Sequence, residues 1–232
     1  RRVVGENNKN LKIAVMSDIG RSLKEELRPK EQSVVDMIRI ATYIHQIPAA
    51  IELIEDAHAK GYETTVNIMA ISKVSEKELD EVLEALSKTN VDVIYIADSF
   101  GSFYPEQIRK LTEKYLSFAQ KSGKKVGIHA HNNLQLAYAN TLEAMIYGAS
   151  FLDVTVSGLG RGAGNCPLEL LLGFLKNPKY KQMPVLEFIE NYIVDLEKKL
   201  DWGYSIPYMI TGQLNEHPRA AMKARDEKDT KY

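Results

Sequence analysis

The chain has little of several features that would define its class at once. It has one cysteine, Cys166, in 232 residues, which excludes an internal disulfide framework and leads us to expect a reducing, cytoplasmic location. Its 30 Lys and Arg balance 31 Asp and Glu, for a net charge of -1, so it has no basic field to attract nucleic acid or an anionic membrane. No apolar run is long enough to cross a bilayer. We therefore predict neither a nucleic-acid partner nor a membrane partner.

Short apolar segments alternate with longer amphipathic ones along most of the chain. The helical patterns include Ser75–Ser87, with a serine cap, and Pro105–Tyr115, with a proline in the first turn. This order predicts parallel strands joined by right-handed crossovers. Because the strand segments are apolar without clear alternation, we expect both faces of the sheet to be covered. The predicted strands are Lys12–Met16, Met37–Ala41, Glu63–Met69, Val93–Ala97, Val126–His129 and Phe151–Thr155.

A closed barrel and an open doubly wound sheet both fit this order of segments. No G-x-G-x-x-G motif follows the first strand, which weakens the dinucleotide-binding version of the open sheet. A (β/α)8 barrel needs eight units, whereas we count about six, and the chain does not begin with Met. We predict a β/α domain over residues 1–178, N-terminally incomplete if it is a barrel. Residues 179–232 are predicted to be a helical and irregular extension, in which Trp202–Met222 is an irregular segment that covers one end or contacts a partner.

Two histidines stand at positions i and i+2 where an apolar segment ends, within Val126–Asn133. Side chains two residues apart share one face of a strand, so His129 and His131 could both reach one divalent metal ion. By itself the pattern is about as consistent with one histidine in the core and the other in a loop. The place favours a site, because parallel α/β folds bind ligands where their strands end.

Polar residues also accompany two other predicted strands. Asp98 and Ser99 follow the fourth strand, and Arg39 lies within the second. A strand arginine that points into a protein interior either pairs with a carboxylate or binds an anion. Both alternatives stay open for Arg39 on the sequence alone.

A glycine-rich segment, Gly158–Asn165, has glycine at every second position from 158 to 164. It lacks the Gly-Lys-Ser/Thr ending of a phosphate-binding loop. We interpret it as a mobile active-site loop that delivers Asn165 as an oxygen donor, although a flexible loop without a function fits about as well. The next residue, Cys166, has no base beside it in sequence and is predicted to be a small buried residue rather than a nucleophile.

Taken together, these segments resemble a known family. Gly127–Asn133, Asp153 and Gly158–Asn165 are similar to the signature of the metal-dependent pyruvate-type aldolases, lyases and acyl synthases, which include hydroxymethylglutaryl-CoA lyase and isopropylmalate synthase. Arg39–Thr42 and Tyr95–Ser99 are most similar to the 4-hydroxy-2-oxovalerate aldolase branch. The resemblance implies an α/β fold of the TIM (β/α)8-barrel type, here without its first one or two β/α units.

The resemblance also implies a cofactor and a site. The cofactor is one divalent metal ion, Mn or Mg. The implied metal ligands are His129, His131 and Asn165. The implied catalytic positions are Arg39, Asp98 and Ser99, with Arg39 and Ser99 near the substrate carboxylate and Asp98 in an indirect or structural role. The family's N-terminal metal-ligand aspartate and catalytic arginine have no counterpart here, as expected if N-terminal residues are absent from this sequence.

The implied activity is that of a carbon–carbon lyase. Such an aldolase cleaves a 4-hydroxy-2-oxo acid, for example 4-hydroxy-2-oxovalerate, to pyruvate and an aldehyde through an enolate stabilised by the metal. The alternatives are a Claisen-type acyl-CoA synthase of the isopropylmalate synthase kind and a barrel scaffold without catalysis. The predicted partner is a small 2-oxo acid, and a homo-oligomer and an aldehyde dehydrogenase partner are further hypotheses.

Overall fold

The computed structural model describes residues 4–5, 11–21 and 26–227. Within them, six strands pair in parallel in the order in which they occur in the chain. A doubly wound sheet reverses its strand order at a switch point, whereas sequential order with crossovers of one hand puts the connecting helices on one face. The fold is therefore α/β of the barrel type, as predicted. The strands are β1 (Ala14–Asp18), β2 (Met37–Thr42), β3 (Glu63–Ile68), β4 (Val93–Asp98), β5 (Lys125–Ala130) and β6 (Phe151–Leu152).

Four helices connect consecutive strands from β2 to β6, and the others follow β6. Helix α2 shows why the boundaries fall where they do: the Ser75 hydroxyl accepts a hydrogen bond from the Glu78 amide, and the Glu78 carboxylate accepts one from the Ser75 amide. In the described part of the chain, no helix has the length and apolar character needed to span a membrane. The helices are α1 (Ile47–Ala59), α2 (Glu76–Ser87), α3 (Pro105–Ala119), α4 (Ala137–Ile146), α5 (Leu168–Leu175), α6 (Met183–Phe188), α7 (Val194–Leu200), α8 (Ile206–Gln213) and α9 (Arg219–Asp226), with a π-helical segment, Ile189–Ile193, between α6 and α7.

Both faces of the central strands β2 to β5 are largely buried, as predicted, but the two faces differ in polarity, which was not predicted. The inner face carries a polar row, because side chains alternate along each strand and the register aligns Asn67 with Tyr95 and Ala97 with His129. Small or aromatic residues such as Ala97 and Tyr95 hid this alternation in the sequence. The face that packs against the helices is apolar, and its side chains are at most 3% exposed: Ile38, Ile40, Val66, Ile68, Ile94, Ile96, Val126 and Ile128.

The sheet curls around its polar face. Arg39 lies on β2 and Asp153 lies directly after β6, and four strand spacings in a flat sheet would separate them by roughly 19 Å. Nevertheless, the Arg39 guanidinium donates a hydrogen bond to the Asp153 carboxylate. Only a curled sheet brings side chains from these two strands together. The polar face is therefore the inner wall of a barrel-like curve, with the helices outside it.

Several boundaries differ from the predicted ones after β5. Strand β6 ends at Leu152 rather than Thr155, which forms only an isolated bridge with Pro167. Helix α5 was not predicted, because it lies between a glycine-rich loop and the turn near Pro178. The predicted division of the chain at residue 178 remains a prediction.

The segment Trp202–Met222 was predicted to be irregular, and this is wrong, because it contains α8 and most of α9. The side-chain amide of Asn133, just after β5, donates a hydrogen bond to the Tyr208 carbonyl at 3.2 Å. The Asn215 side chain donates to the Ser72 carbonyl, after β3, at 3.0 Å. The segment therefore covers the end of the sheet where the strands finish. This was one of the two predicted roles, the other being contact with a partner.

The packing of the apolar face against the helices predicts a strong stability effect at one isoleucine. Ile96 on β4 is completely buried, whereas Ile146 at the end of α4 is 65% exposed. We expect Ile96→Ala to lower the free energy of unfolding by about 2–5 kcal/mol and the matched control Ile146→Ala to change it by less than about 0.5 kcal/mol. Urea unfolding followed by circular dichroism measures both. Equal losses in the two variants would contradict this description of the core.

Candidate metal centre

The two histidines lie side by side where β5 ends. His129 is the fifth residue of β5 and His131 follows its last residue. Their ring centroids are 5.1 Å apart and the rings meet edge to face. The shared face predicted from the i, i+2 spacing is therefore present. Two imidazoles at this separation are suitable ligands for one divalent ion.

His129 is oriented by a carboxylate from the neighbouring strand. The pairing of Ile128 with Leu152 puts the next residue, Asp153, beside His129. The His129 Nδ1 atom and the Asp153 Oδ2 atom are 2.9 Å apart. An ionised carboxylate only accepts hydrogen bonds, so Nδ1 is the donor, and in the neutral imidazole the lone pair is then on Nε2. A carboxylate that holds a histidine in this way is a common second partner of a metal-ligating imidazole.

Arg39 completes this cluster from the other side of the curve. It pairs with the Asp153 carboxylate, and its guanidinium carbon lies 4.8 Å from the centre of the Tyr95 ring. Burial would raise the pKa of Asp153, but the hydrogen bond with His129 and the charge of Arg39 outweigh it and hold the pKa below its ordinary value. Burial likewise opposes the charge on Arg39, and Asp153 more than compensates, so the pKa of Arg39 is raised. Of the two alternatives for Arg39, pairing with a carboxylate or binding an anion, the structure shows the pairing with a carboxylate.

His131 and Asn165 meet through their backbones. They form an isolated antiparallel bridge, and the amide of Asn132 donates to the Gly164 carbonyl at 2.8 Å. The pKa of His131 is well below its ordinary value because the imidazole is buried and because His129 and Arg161 lie near it. His131 is therefore neutral at physiological pH, as a metal ligand must be.

The glycine-rich segment is held close to its neighbours. A Cβ atom at Gly160 would lie 2.4 Å from the Asn165 amide nitrogen, and one at Gly162 would lie 2.1 Å from the Tyr208 ring. Gly162 also has a φ of +61°, which favours glycine. The indole of Trp202 donates to the Ser157 carbonyl at 3.0 Å. The alternating glycines therefore serve close packing under the C-terminal cover.

Asp98 and Ser99 stand at the end of β4 and bond mainly to backbone groups. The two carboxylate oxygens of Asp98 accept hydrogen bonds from the amides of Ser102, at 2.9 Å, and Phe103, at 3.3 Å. Burial raises the pKa of Asp98 to about 7, against the lowering effect of these amides. The Ser99 hydroxyl accepts from the Ala70 amide at 3.1 Å. This geometry favours the structural role for Asp98, and the catalytic roles of both residues remain predictions.

The residues present fit a divalent metal, although as a partial set of ligands. Within the described ranges, no three His, Cys, Asp or Glu side chains are grouped so as to hold a metal ion. The His131 Nδ1 atom and the Asn165 Oδ1 atom are nevertheless buried, and neither has an aligned hydrogen-bond partner in this part of the chain. Buried polar atoms without partners are costly. A metal ion is the type of group that both atoms could bind together with His129.

Three residues of this region were missed or left without a role by sequence reasoning. Asp153 belongs to the family signature but was given no function, although a carboxylate directly after a strand could have indicated a partner for His129. Arg161 is the one basic residue of Gly158–Asn165, and this was the available signal for it. Nothing in the sequence indicated that Tyr208 packs on Gly162, because that contact depends on the tertiary fold.

Comparison with known proteins agrees with this geometry. The model of the HMGL-like family matches residues 37–190, about two thirds of the chain. The chain belongs to the HMGL-like family. The predicted membership of the aldolase, lyase and acyl-synthase superfamily is thereby confirmed.

Curated relatives of this HMGL-like chain carry the names of enzymes that act on 2-oxo acids. The 4-hydroxy-2-oxovalerate aldolase of Geobacillus thermodenitrificans is 33% identical over 199 residues, which cover 83% of this chain and 57% of that protein. The oxaloacetate decarboxylase of Mycobacterium tuberculosis is 35% identical over 142 residues, which cover 61% of this chain and 41% of that protein. The chain spans about half the length of the curated relatives it matches.

A solved structure gives the same result for the fold. The N-terminal domain of a Bacteroides vulgatus protein superposes with a TM-score of 0.78 at 30% sequence identity, and the match covers 96% of this HMGL-like chain and 74% of the other. The similarity extends beyond the part of the chain matched by the family model.

The cluster around Asp153 predicts energetic coupling between two strands. We expect Arg39→Met and Asp153→Asn, measured without metal, each to lower the free energy of unfolding by about 3 kcal/mol, because each leaves a partly buried charge without its partner. The double variant should lose less than the sum of the two, with a coupling of about 1–3 kcal/mol.

The matched control for this cycle is the exposed pair Lys198 and Asp195, whose nitrogen and oxygen are 2.9 Å apart. We expect Lys198→Met and Asp195→Asn to couple by less than about 1 kcal/mol. Additive losses at Arg39 and Asp153 would show that their contact does not hold the curled sheet together.

Cys166 is predicted to be unreactive in the folded chain. Its side chain is completely buried, and burial raises the pKa of the thiol to about 11, so hardly any thiolate forms at pH 8. We expect Ellman's reagent to modify Cys166 only after urea is added, whereas Ser117→Cys, at an exposed position and combined with Cys166→Ser, should react in the native protein. Rapid native labelling of Cys166 would contradict this assignment.

Proposed function

We propose that the protein is a divalent-metal-dependent aldolase that cleaves a 4-hydroxy-2-oxo acid, such as 4-hydroxy-2-oxovalerate, to pyruvate and an aldehyde. The observation that carries this proposal is the pair of adjacent imidazoles of His129 and His131 at the end of β5, with Asn165 brought beside His131 by the glycine-rich loop. The family membership and the name of the Geobacillus relative support it.

The residues of the chain would hold the ion and keep it open to substrate. His129, His131 and Asn165 would each offer one ligand atom, and a mixed nitrogen and oxygen set of this kind suits Mn or Mg with positions left for a chelating 2-oxo acid. When bound, the ion supplies a Lewis acid that polarises the 2-oxo group. Asp153 accepts the hydrogen bond from the Nδ1 atom of His129, so the Nε2 atom would be the one to bind the ion.

The cleavage itself sets the remaining requirements. The C4 hydroxyl group must lose its proton, the C3–C4 bond must break, and the electron pair of that bond must move toward the 2-oxo group as the aldehyde leaves. The resulting enolate must then take up a proton at C3 to become pyruvate. The segment with Trp202 and Tyr208 lies over the glycine-rich loop. It limits the access of water to the developing negative charge, where fixed polar groups are most effective.

Two other reactions would use the same site. A decarboxylase that acts on oxaloacetate, the activity in the name of the Mycobacterium relative, and an acyl-CoA synthase both need a stabilised enolate next to a 2-oxo group. We retain the aldolase because Arg39–Thr42 and Tyr95–Ser99 are most similar to that branch. A cytoplasmic location, a homo-oligomer and an aldehyde dehydrogenase partner are further proposals for the same protein.

The test is pyruvate release by the protein produced with its natural ends. With Mn or Mg, we expect pyruvate from 4-hydroxy-2-oxo acids in a coupled lactate dehydrogenase assay, and a loss of at least about 100-fold in His129→Ala and His131→Ala. The matched control is His58→Ala, on the exposed side of α1, which should keep full activity.

Two further results separate the alternatives. Release of pyruvate from oxaloacetate but not from 4-hydroxy-2-oxo acids would identify a decarboxylase. Release of thiol from acetyl-CoA in the presence of a 2-oxo acid would identify a synthase. Metal binding without any of the three reactions would support the alternative of a barrel scaffold without catalysis.

A further inference from the structure

Arg161 is a cation at the mouth of the site, and no described residue is its acidic partner. It lies in the glycine-rich loop four residues before Asn165, and its guanidinium donates to the Ser99 carbonyl at 2.7 Å. Within the described ranges, Arg161 takes part in no salt bridge. The hydrogen bond to a neutral carbonyl orients the side chain and leaves its positive charge without compensation.

The neighbours of Arg161 come from several strand ends at once. Ser99, whose carbonyl accepts the hydrogen bond from Arg161, follows β4. His131, after β5, and Tyr43, after β2, lie within electrostatic range of the guanidinium. From the cover, Tyr208 also interacts with it electrostatically. The residue is exposed, yet the surrounding protein desolvates its guanidinium enough to lower the pKa. The positive charge therefore stands over the centre of the strand ends.

The charges of the site are otherwise balanced inside the chain. Arg39 is paired with Asp153, so its charge is compensated within the chain. Asn165 is neutral. Arg161 is therefore the surplus positive charge contributed by these residues, next to the positions where a 2-oxo acid would chelate a metal.

We propose that Arg161, rather than Arg39, binds the carboxylate of the 2-oxo acid substrate. The planar guanidinium matches a carboxylate through two parallel hydrogen bonds, which a lysine would not reproduce. The loop presents it in a fixed position, since Gly162 packs on the Tyr208 ring and its carbonyl accepts from the Gly203 amide at 2.9 Å. This assignment rests on the proposed function for the identity of the substrate, and it replaces the predicted role of Arg39.

The test is a binding cycle that pairs a side-chain change with a ligand change. Pyruvate and methyl pyruvate are titrated by calorimetry into the Mn-loaded protein with its natural ends, for the unaltered chain and for Arg161→Gln. The contribution of the metal to carboxylate binding is common to both proteins and cancels. We expect the preference for pyruvate over its ester to fall by about 10- to 100-fold in Arg161→Gln, the range for a charge-assisted contact.

Two variants and one separate measurement complete the design. Arg161→Lys should recover only part of the preference, and Arg109→Gln, at an arginine of α3 that stacks on Tyr147, should keep all of it. Mn affinity, followed by the electron paramagnetic resonance of free Mn, should be unchanged in Arg161→Gln.

Three results would overturn the proposal: an equal loss of pyruvate and ester binding in Arg161→Gln, an unchanged preference, or no binding of pyruvate by the unaltered protein. The outcome is separable from that of the proposed function. The preference for pyruvate over its ester could fall in Arg161→Gln although the unaltered protein releases no pyruvate from any 4-hydroxy-2-oxo acid. In that case the aldolase proposal would fail and the assignment of Arg161 to the carboxylate would stand.

Discussion

The Asp153 carboxylate accepts from Arg39 on one side and from His129 on the other, and the rest of the structure depends on this arrangement. It joins residues of β2, β5 and the end of β6 across the inner wall of the sheet. One consequence is geometric, because strands far apart in the sheet order are held within side-chain reach. The other is chemical, because the same contact fixes which nitrogen of His129 is available. The curved sheet and the orientation of the candidate metal ligand thus meet in a single contact.

The inner wall of the sheet is polar, and the apolar side chains of the strands lie on the opposite face, which packs against the helices. The isoleucines and valines of β2 to β5 pack under the helices, while Asn67, Tyr95 and His129 line the concave face. In a fully closed barrel the interior is usually a packed core of branched apolar residues. Here the stability of the sheet comes mainly from its convex side, and the concave side is available for polar chemistry.

Local patterns predicted the parts of the fold that local physics decides. Serine and proline at helix starts, apolar strand segments and the i, i+2 histidines were all visible in the sequence, and the structure places them as expected. The prediction of a barrel came from the family resemblance, because the alternation of strands and helices alone fitted an open sheet equally well. Contacts between distant segments were not predictable: the partner of Arg39 lies 114 residues away, and Tyr208 meets the glycine-rich loop only after the chain has folded back. The same reason explains why Arg161 was missed.

The cover over the site has a consequence for the order in which the protein is made. The segment that begins at Trp202 fastens the glycine-rich loop through Ser157 and Gly162, yet it follows all six strands along the chain. A ribosome therefore releases the sheet, the histidines and the loop before the residues that hold the loop in place have been synthesised. For that interval the nascent protein has the imidazoles without the fixed Asn165, and an ion that arrives early would meet an unfinished set of ligands.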